Sequence, residues 1–308
     1  MARNKLRKEK ELNQIKKSTN VFFNIIFIIL SALCIFPIVF VFSISISSET
    51  SIQKNGYQLI PQELSAAAYQ FLWNERGTIL HATFISILVT ALGIILSVLL
   101  TTTMGYVVSR NTYKLKSFYT WVIFIPMIFN GGMLAGYVVN TNILHLRNSI
   151  WALILPLAVS PFNIVICKTF FKTTIPDSIV ESAKIDGAGH TKIFFQITFP
   201  LGKPILVTMG LFSALAYWND WTNGLYYLSG NQGQKLYSIQ NLLNQMITDI
   251  QYLASGKVAG NIGAEVAKLP TTSIRMAIAF IAMLPLFIIY PFLQKYFVSG
   301  ITLGGVKE

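Results

Sequence analysis

The amino-acid sequence predicts an all-helical membrane protein with six transmembrane helices, and three observations support this fold class. Only 12% of the 308 residues are charged, 53% are hydrophobic and the mean hydropathy is +0.57, whereas a soluble domain has about 25% charged residues. Several charge-free stretches reach the roughly 20 residues that a helix needs to cross the hydrocarbon core. These stretches do not alternate between apolar and polar residues, which excludes the strands of a membrane β-barrel.

The charge-free stretches predict six spans along the chain. A basic segment precedes the first span, but its apolar part, Val21–Phe42, is longer than that of a secretory signal, so we expect a retained helix. The fifth span carries a single charge, Asp220. The predicted spans are 21–46, 79–105, 118–140, 149–171, 204–228 and 272–296, which together form a transmembrane domain over 21–298.

The positive charges predict which side of the membrane each segment faces. If both termini lie inside, the inner segments carry 17 of the 24 Lys and Arg residues, as the excess of positive charge in cytoplasmic loops requires. We therefore expect cytoplasmic tails at 1–20 and 299–308, a cytoplasmic loop at 172–203, and outer loops at 47–78 and 229–271. In a membrane protein the basic N-terminal tail indicates contact with anionic lipid headgroups rather than with nucleic acid.

The cytoplasmic loop 172–203 has the sequence of two short helices. Pro176 can open the first helix, because a proline in the first turn loses no hydrogen bond. Gly187 and Gly189 are placed to end it in a left-handed conformation. Thr191 can cap the second helix, which Pro200 is expected to end.

The first of these helices has a narrow apolar face formed by Ile179, Val180 and Ala183. An apolar face on a cytoplasmic loop must be covered by another surface. A groove on a partner protein can cover it, and so can the helices of the chain itself. The residues alone leave both possibilities open.

The same loop resembles the EAA motif of permease subunits in binding-protein-dependent ABC importers. The family pattern is E-A-A, three residues, G, nine residues and I-x-L-P. This chain has Glu181-Ser182-Ala183, Gly187, Ile197 and Phe199-Pro200 at the same spacing, with Ser and Phe where the family has Ala and Leu. The C-terminal residues, from Gln294 to Lys307, resemble the carbohydrate-uptake branch of this family.

The resemblance implies the type I ABC importer fold, in a multi-pass protein of the bacterial cytoplasmic membrane. It implies that the loop is a coupling helix that docks on a cytosolic ATPase, through Glu181, Ser182, Ala183, Asp186, Gly187, Ala188, Ile197 and Pro200. The tail residues Gly304, Gly305 and Lys307 would also approach the ATPase. The implied partners are a second, homologous permease subunit, two ATPase subunits that bind ATP and Mg, an extracellular solute-binding protein facing 229–271, and a carbohydrate substrate.

The chain is not expected to be an enzyme or to bind a cofactor. The phosphate-binding pattern G-x-x-x-x-G-K-[ST] is absent, and the nearest match, Gly256-Lys257, is followed by Val258. The three histidines, His81, His145 and His190, have no metal-ligand spacing. Energy for transport must therefore come from a partner.

Polar side chains within the predicted spans are candidates for the solute path, because polar groups in hydrocarbon usually face a cavity or another helix. In span five, Trp218, Asn219 and Asp220 combine aromatic faces with hydrogen-bonding groups, which suits a sugar. They can equally form an anchoring belt at the membrane boundary, and Asp220 can hold helices together. In span three, Asn130 and Tyr137 flank two glycines that also favour close helix packing.

Three other functions are alternatives to a carbohydrate ABC importer permease. A proton-coupled secondary transporter would use Asp220 as its titrating group, but one acid in six spans is a weak basis. A membrane enzyme would rest on the S-x-x-K pattern of Ser51 and Lys54, whose companion motifs are absent. An ABC importer of the same fold for a solute that is not a sugar differs only in its substrate.

Overall fold

The computed structural model describes residues 16–254 and 270–302 of the chain. These residues are helical apart from loops and one isolated β-bridge between Ser47 and Leu64. The helices are α1 Lys17–Ser45, α2 Glu49–Asn55, α3 Ala67–Asn74, α4 Arg76–Ser109, α5 Lys116–Ile128, α6 Gly132–Val138, α7 Trp151–Ile154, α8 Pro161–Thr174, α9 Asp177–Ile185, α10 His190–Leu201, α11 Lys203–Trp218, α12 Thr222–Tyr227, α13 Gly230–Gln234, α14 Ile239–Ala254 and α15 Thr271–Thr302.

Two helices of the described residues, α1 and α4, are each long and apolar enough to cross a membrane. Two pairs also pass this test jointly: α7, extended by the 3-10 turn Leu155–Leu157, with α8 at 50°, and α10 with α11 at 82°. Counting each bent pair as one span brings the number to four. The shorter apolar helices are α5 and the first part of α15. Six spans therefore remain a prediction.

The chain divides into two compact units. The first comprises the described residues up to Phe71 together with 270–280. Here the Glu49 carboxylate accepts hydrogen bonds from the backbone N–H groups of Thr272 and Ser273, at 3.1–3.2 Å. A carboxylate at this position satisfies unpaired N–H groups and complements the positive end of the helix dipole. It fixes the start of α15.

The second unit comprises the described residues from Leu72 to Ala254 together with 281–302. Its centre is the packing of α4 against α8 and α11. Small residues allow the helices to approach closely: a Cβ added to Gly105 would lie 2.6 Å from the Cβ of Cys167. A buried hydrogen bond of 2.9 Å between Ser97 and Ser213 joins α4 to α11.

Several predicted spans are interrupted. The residues of span three form two helices, because α5 ends at Ile128 and α6 begins at Gly132 with a φ of +77°. The side-chain oxygen of Asn130 accepts a hydrogen bond from the N–H of Gly132 at 2.9 Å, which stabilises this break. The residues of span four bend where Pro161 begins α8, since a proline cannot continue the preceding ladder of hydrogen bonds.

Candidate functional site

The segment predicted as a cytoplasmic loop folds into a helical hairpin, α9 and α10, which we call the 177–201 hairpin. The first helix begins at Asp177, directly after Pro176, as the proline predicted. The second begins at His190 and continues to Leu201 through a π-helical segment, Phe194–Thr198. Thr191 was expected to cap this helix, which is wrong: Gly189 is the N-cap residue, and no side chain caps the helix.

The turn of the hairpin is a Schellman motif. The N–H of Ala188 donates to the carbonyl of Ala183 at 2.9 Å, and the N–H of Gly187 donates to the carbonyl of Lys184 at 3.0 Å. Gly187 has a φ of +78°, which confirms the predicted left-handed stop. Gly189 was expected to share this role but has a φ of −71°, so the prediction is wrong for that residue.

The inner face of the hairpin packs on the second unit. Val180 and Ala183 of α9 and Ile193 and Phe194 of α10 are buried, and they join a core cluster with residues of α4, α8 and α11, among them Tyr106, Phe171 and Met209. Ile197 and Ala188 are half-buried against the same cluster. The helices of the chain thus cover part of the predicted apolar face, which corrects the expectation that Ile179, Val180 and Ala183 share one environment, because Ile179 is exposed.

The outer face of the hairpin is not covered by the described residues. Glu181, Ser182, Asp186 and Gly187 are exposed, as is Pro200 on the second helix. Ile185 at the end of α9 is 86% exposed. No described residue covers this side chain, which lies between Lys184 of α9 and the exposed Asp186 at the tip of the hairpin. The motif residues therefore divide into Ala183, Ala188 and Ile197 on the inner face and the exposed residues on the outer face.

Arg110 fixes the hairpin to the transmembrane helices. It follows the last residue of α4, and its guanidinium donates to the carbonyls of Phe171 at 2.7 Å and Ile175 at 3.0 Å. The same group forms a 3.0 Å salt bridge with Asp177 and lies over the ring of Tyr106. It thereby adds a second donor to the carbonyl of Phe171, which already accepts from the N–H of Ile175, and supplies a donor to the carbonyl of Ile175, the C-cap residue of α8.

The salt bridge between Arg110 and Asp177 is buried on one side only. The side chain of Arg110 is 8% exposed and that of Asp177 is 47% exposed. A buried guanidinium is costly unless its N–H groups have acceptors. The carbonyls of Phe171 and Ile175 and the carboxylate of Asp177 supply these acceptors and so hold the Arg110 side chain in place. Sequence reasoning counted Arg110 only as one inner positive charge. The sequence signal that could have singled out Arg110 is its position directly after the charge-free stretch that ends at Ser109.

The candidate solute residues of span five occupy different environments. Trp218 is buried, and its indole N–H donates to the carbonyl of Ala282 at 3.4 Å. Asn219 is exposed and bonds the carbonyl of its own helix at Leu215. Asp220 precedes the N-cap residue Trp221 and accepts from the N–H groups of Thr222 and Asn223 at 3.1 and 3.2 Å, so it satisfies the first two N–H groups of α12.

Among the described residues, no hydrogen bond or ring contact joins the candidate residues of span three to Trp218, Asn219 or Asp220. Asn130 is exposed and holds the break before α6. Tyr137 is half-buried and stacks on Tyr227, with ring centroids 6.1 Å apart. The hydroxyl of Tyr227 accepts from Asn140 at 2.8 Å. Gly304, Gly305 and Lys307 of the C-terminal tail lie outside the described residues.

The long apolar helices define a helical membrane protein with a hairpin at its surface, and comparisons with known proteins identify its family. Residues 98–303 match the family described as "Binding-protein-dependent transport system inner membrane component". The chain belongs to this family, and it is therefore an inner-membrane component of a binding-protein-dependent transport system.

Individual relatives agree with this family. The chain is 34% identical to the polygalacturonan/rhamnogalacturonan transport system permease protein YtcP of Bacillus subtilis (strain 168), over 91% of this chain and 96% of the relative. It is 30% identical to the melibiose/raffinose/stachyose import permease protein MelC of the same organism, over 81% and 83%.

A solved structure shares the fold. It is a bacterial ABC transporter involved in the import of the acidic polysaccharide alginate, with a TM-score of 0.76 and 24% identity. The match covers 92% of this chain and 99% of that one. Together with the family match, this likeness gives the chain the permease fold of ABC importers.

Proposed function

We propose that the chain is the permease subunit of an ATP-driven importer for a carbohydrate, and that it forms half of the translocation path. The observation that carries the carbohydrate assignment is the extended similarity to permeases named for oligosaccharide and polysaccharide transport. The predicted six spans, with both termini in the cytoplasm, complete the arrangement. The distribution of positive charge supports this orientation, because 17 of the 24 Lys and Arg residues then face the cytoplasm.

The outer face of the 177–201 hairpin is the proposed docking surface for the ATPase. Its exposed members, Glu181, Ser182, Ile185, Asp186 and Gly187, lie on the face that the chain leaves uncovered. Arg110 and the buried inner residues hold the hairpin to the transmembrane helices. A displacement of the docked hairpin is therefore passed on to those helices as a rigid-body motion.

Energy for the cycle comes from partner subunits. The sequence has no phosphate-cradling loop, so ATP and Mg are bound by the ATPases. The proposed assembly has two homologous permeases, two ATPases and an extracellular solute-binding protein that faces 229–271. ATP closes the ATPase pair, and the binding protein favours one conformation of the permeases through its differential affinity.

The proposed substrate class is an oligosaccharide. Among the span-five candidates Asn219 has the exposed side chain; its Nδ2 donates to the carbonyl of Leu215, and its amide oxygen can accept from sugar hydroxyls. Asp220 and Trp218 are engaged within the chain, in bonding the first N–H groups of α12 and in packing. We therefore assign Asn219 to the solute path ahead of these two neighbours.

Purification of the tagged chain from its host membrane tests the proposal. We expect a second permease and an ATPase to copurify, and the associated binding protein to be stabilised thermally by oligosaccharides. In proteoliposomes, the complex should import the stabilising sugar when ATP is inside. Uptake that follows a proton gradient without the ATPase would contradict the importer assignment. Stabilisation by amino acids or ions alone would contradict the carbohydrate assignment.

A further inference from the structure

An apolar groove runs between α4, α5 and α8, near the end of these helices that carries Arg110. Its volume is about 350 Å³. The lining is made almost entirely of hydrocarbon and aromatic side chains: Val108, Trp121, Ile123, Phe124, Ile164 and Val165. Trp121 and Phe124 are exposed, at 61% and 42%. These helices belong to predicted spans, so we expect the groove to lie at the depth of the membrane hydrocarbon.

One end of the groove is positively charged. Lys168 of α8 lines it directly. Lys116 lies one turn before Thr120, another lining residue of α5, and Lys172 lies one turn after Lys168 on α8. Burial, together with the positive charges of Lys172 and Lys168, lowers the pKa of Lys116. The positive charges of Lys168 and Lys172 thus oppose that of Lys116 at this end.

The nearby negative charge does not neutralise these lysines. Asp177 is the acid whose charge acts on Lys116, and it is already bound to Arg110 and accepts from Asn111 at 3.3 Å. Lys116 itself donates to the neutral amide oxygen of Asn111, at 2.7 Å. A ligand that brings negative charge to this end would relieve the repulsion.

We propose that this groove binds an anionic phospholipid, with an acyl chain along the apolar lining and the phosphate at Lys168 and Lys116. The combination of an apolar groove between membrane helices and a basic end at the membrane boundary is the chemistry that recognises such lipids. A neutral lipid would fill the apolar part but leave the lysines unpaired. An apolar helix of another subunit would also leave them unpaired.

Fluorescence quenching tests this proposal on the assembled complex, because Trp121 lies in the groove. The complex is placed in phosphatidylcholine vesicles that contain phosphatidylglycerol or phosphatidylcholine with brominated acyl chains, at equal mole fractions. The contribution of Trp121 is the difference between the wild type and a Trp121→Phe variant. Plotting this contribution against the mole fraction of each brominated lipid gives two quenching curves. We expect half-maximal quenching at a mole fraction about fivefold lower for brominated phosphatidylglycerol than for brominated phosphatidylcholine.

Lysine variants decide whether charge selects the lipid. The double variant Lys116→Gln, Lys168→Gln should bring the two quenching curves together, and Lys168→Gln alone should move them part of the way. Lys114→Gln is the matched control, because Lys114 is an exposed lysine of the same connection that does not line the groove. Its curves should stay apart.

Each other outcome overturns the proposal. Equal quenching of the wild type by both lipids would show a groove without charge selection. Absence of quenching by either lipid would show that a protein helix covers Trp121. Curves that stay apart in the double variant would place the anionic lipid elsewhere. Elution of every variant as an intact complex on size exclusion shows that the comparison is made on folded protein.

Discussion

Arg110 donates a hydrogen bond to the carboxylate of Asp177 at 3.0 Å, and this contact joins the end of α4 to the first residue of the 177–201 hairpin. The same guanidinium bonds two carbonyls at the end of α8. One side chain therefore connects three helices at the point where the hairpin leaves the transmembrane part. The two ends of the salt bridge differ in burial, and so they should differ in energetic importance.

Replacement of Arg110 is expected to destabilise the protein more than replacement of Asp177. Arg110→Ala leaves the carbonyls of Phe171 and Ile175 without this donor, at a cost of about 2–4 kcal/mol. Asp177→Asn should cost less than about 1 kcal/mol, because the carboxylate is half exposed to solvent. Both losses of stability are measured by heating the purified complex and using size-exclusion chromatography to monitor how much remains intact. Equal losses would show that the carbonyl contacts add nothing.

Gly187 should be essential to coupling and of small importance to folding. A non-glycine residue at its φ of +78° costs about 1–2 kcal/mol, but no atom of the described chain lies within 4 Å of an added Cβ. The Cβ of Gly187→Leu therefore meets no described residue, and we expect the bulky side chain to interfere with the docked partner. We expect less solute imported per ATP hydrolysed in proteoliposomes.

The matched control for this variant is Gly56→Leu. Gly56 has a φ of +72° and equally open surroundings, but it lies on the predicted outer side. Both variants should lose thermal stability, Gly56→Leu more so because its ψ of −168° lies in a region that only glycine readily adopts, while only Gly187→Leu should lower the coupling ratio. A normal ratio in Gly187→Leu would remove the argument that this turn meets a partner.

Gly105 should be intolerant of any side chain. An alanine Cβ would lie 2.6 Å from the Cβ of Cys167 and 3.1 Å from the backbone nitrogen of Lys168, so α4 and α8 must move apart. The expected cost is about 1–3 kcal/mol. Gly136→Ala is the control, because its Cβ meets no described atom within 4 Å. Comparable melting temperatures of the two variants would contradict the close packing.

Glu49 should stabilise the start of α15. Its carboxylate accepts from the N–H groups of Thr272 and Ser273, and such a cap contributes about 1 kcal/mol. Glu49→Ala should lower the thermal stability by this amount, and Glu49→Gln by less, because the amide oxygen can still accept. Glu75→Ala is a suitable control, since no side-chain hydrogen bond caps the helix that Glu75 precedes. Equal effects of Glu49→Ala and Glu75→Ala would contradict the cap.

The sequence predicted those features that short-range signals determine. Pro176 and Gly187 marked the two ends of α9, because proline fixes its own φ and glycine tolerates the positive φ that ends a helix. The charge-free stretches marked the apolar helices, of which α1 and α4 have the length of a span. The division of span three at Asn130 was less visible, since it depends on how a side chain bonds a backbone N–H group two residues further on.

Features that depend on distant parts of the chain could not be predicted. The carbonyl and carboxylate partners of Arg110 lie 61–67 residues away in the sequence. The burial of Val180 and Ala183 beside the exposure of Ile179 and Ile185 depends on how α9 rests on the core cluster. Similarly, Trp218 and Asn219 are neighbours in sequence, but one is buried and the other exposed.

The central claim is that the outer face of the hairpin docks on the ATPase. The amount of ATPase that the permease retains during purification tests this claim most directly. Ile185→Asp should reduce the ATPase that copurifies with the tagged chain at least about tenfold, because charge at an exposed apolar anchor opposes docking. Ile60→Asp, at a position 80% exposed against 86% for Ile185, should retain it fully. Equal retention of the ATPase by both variants would contradict the claim.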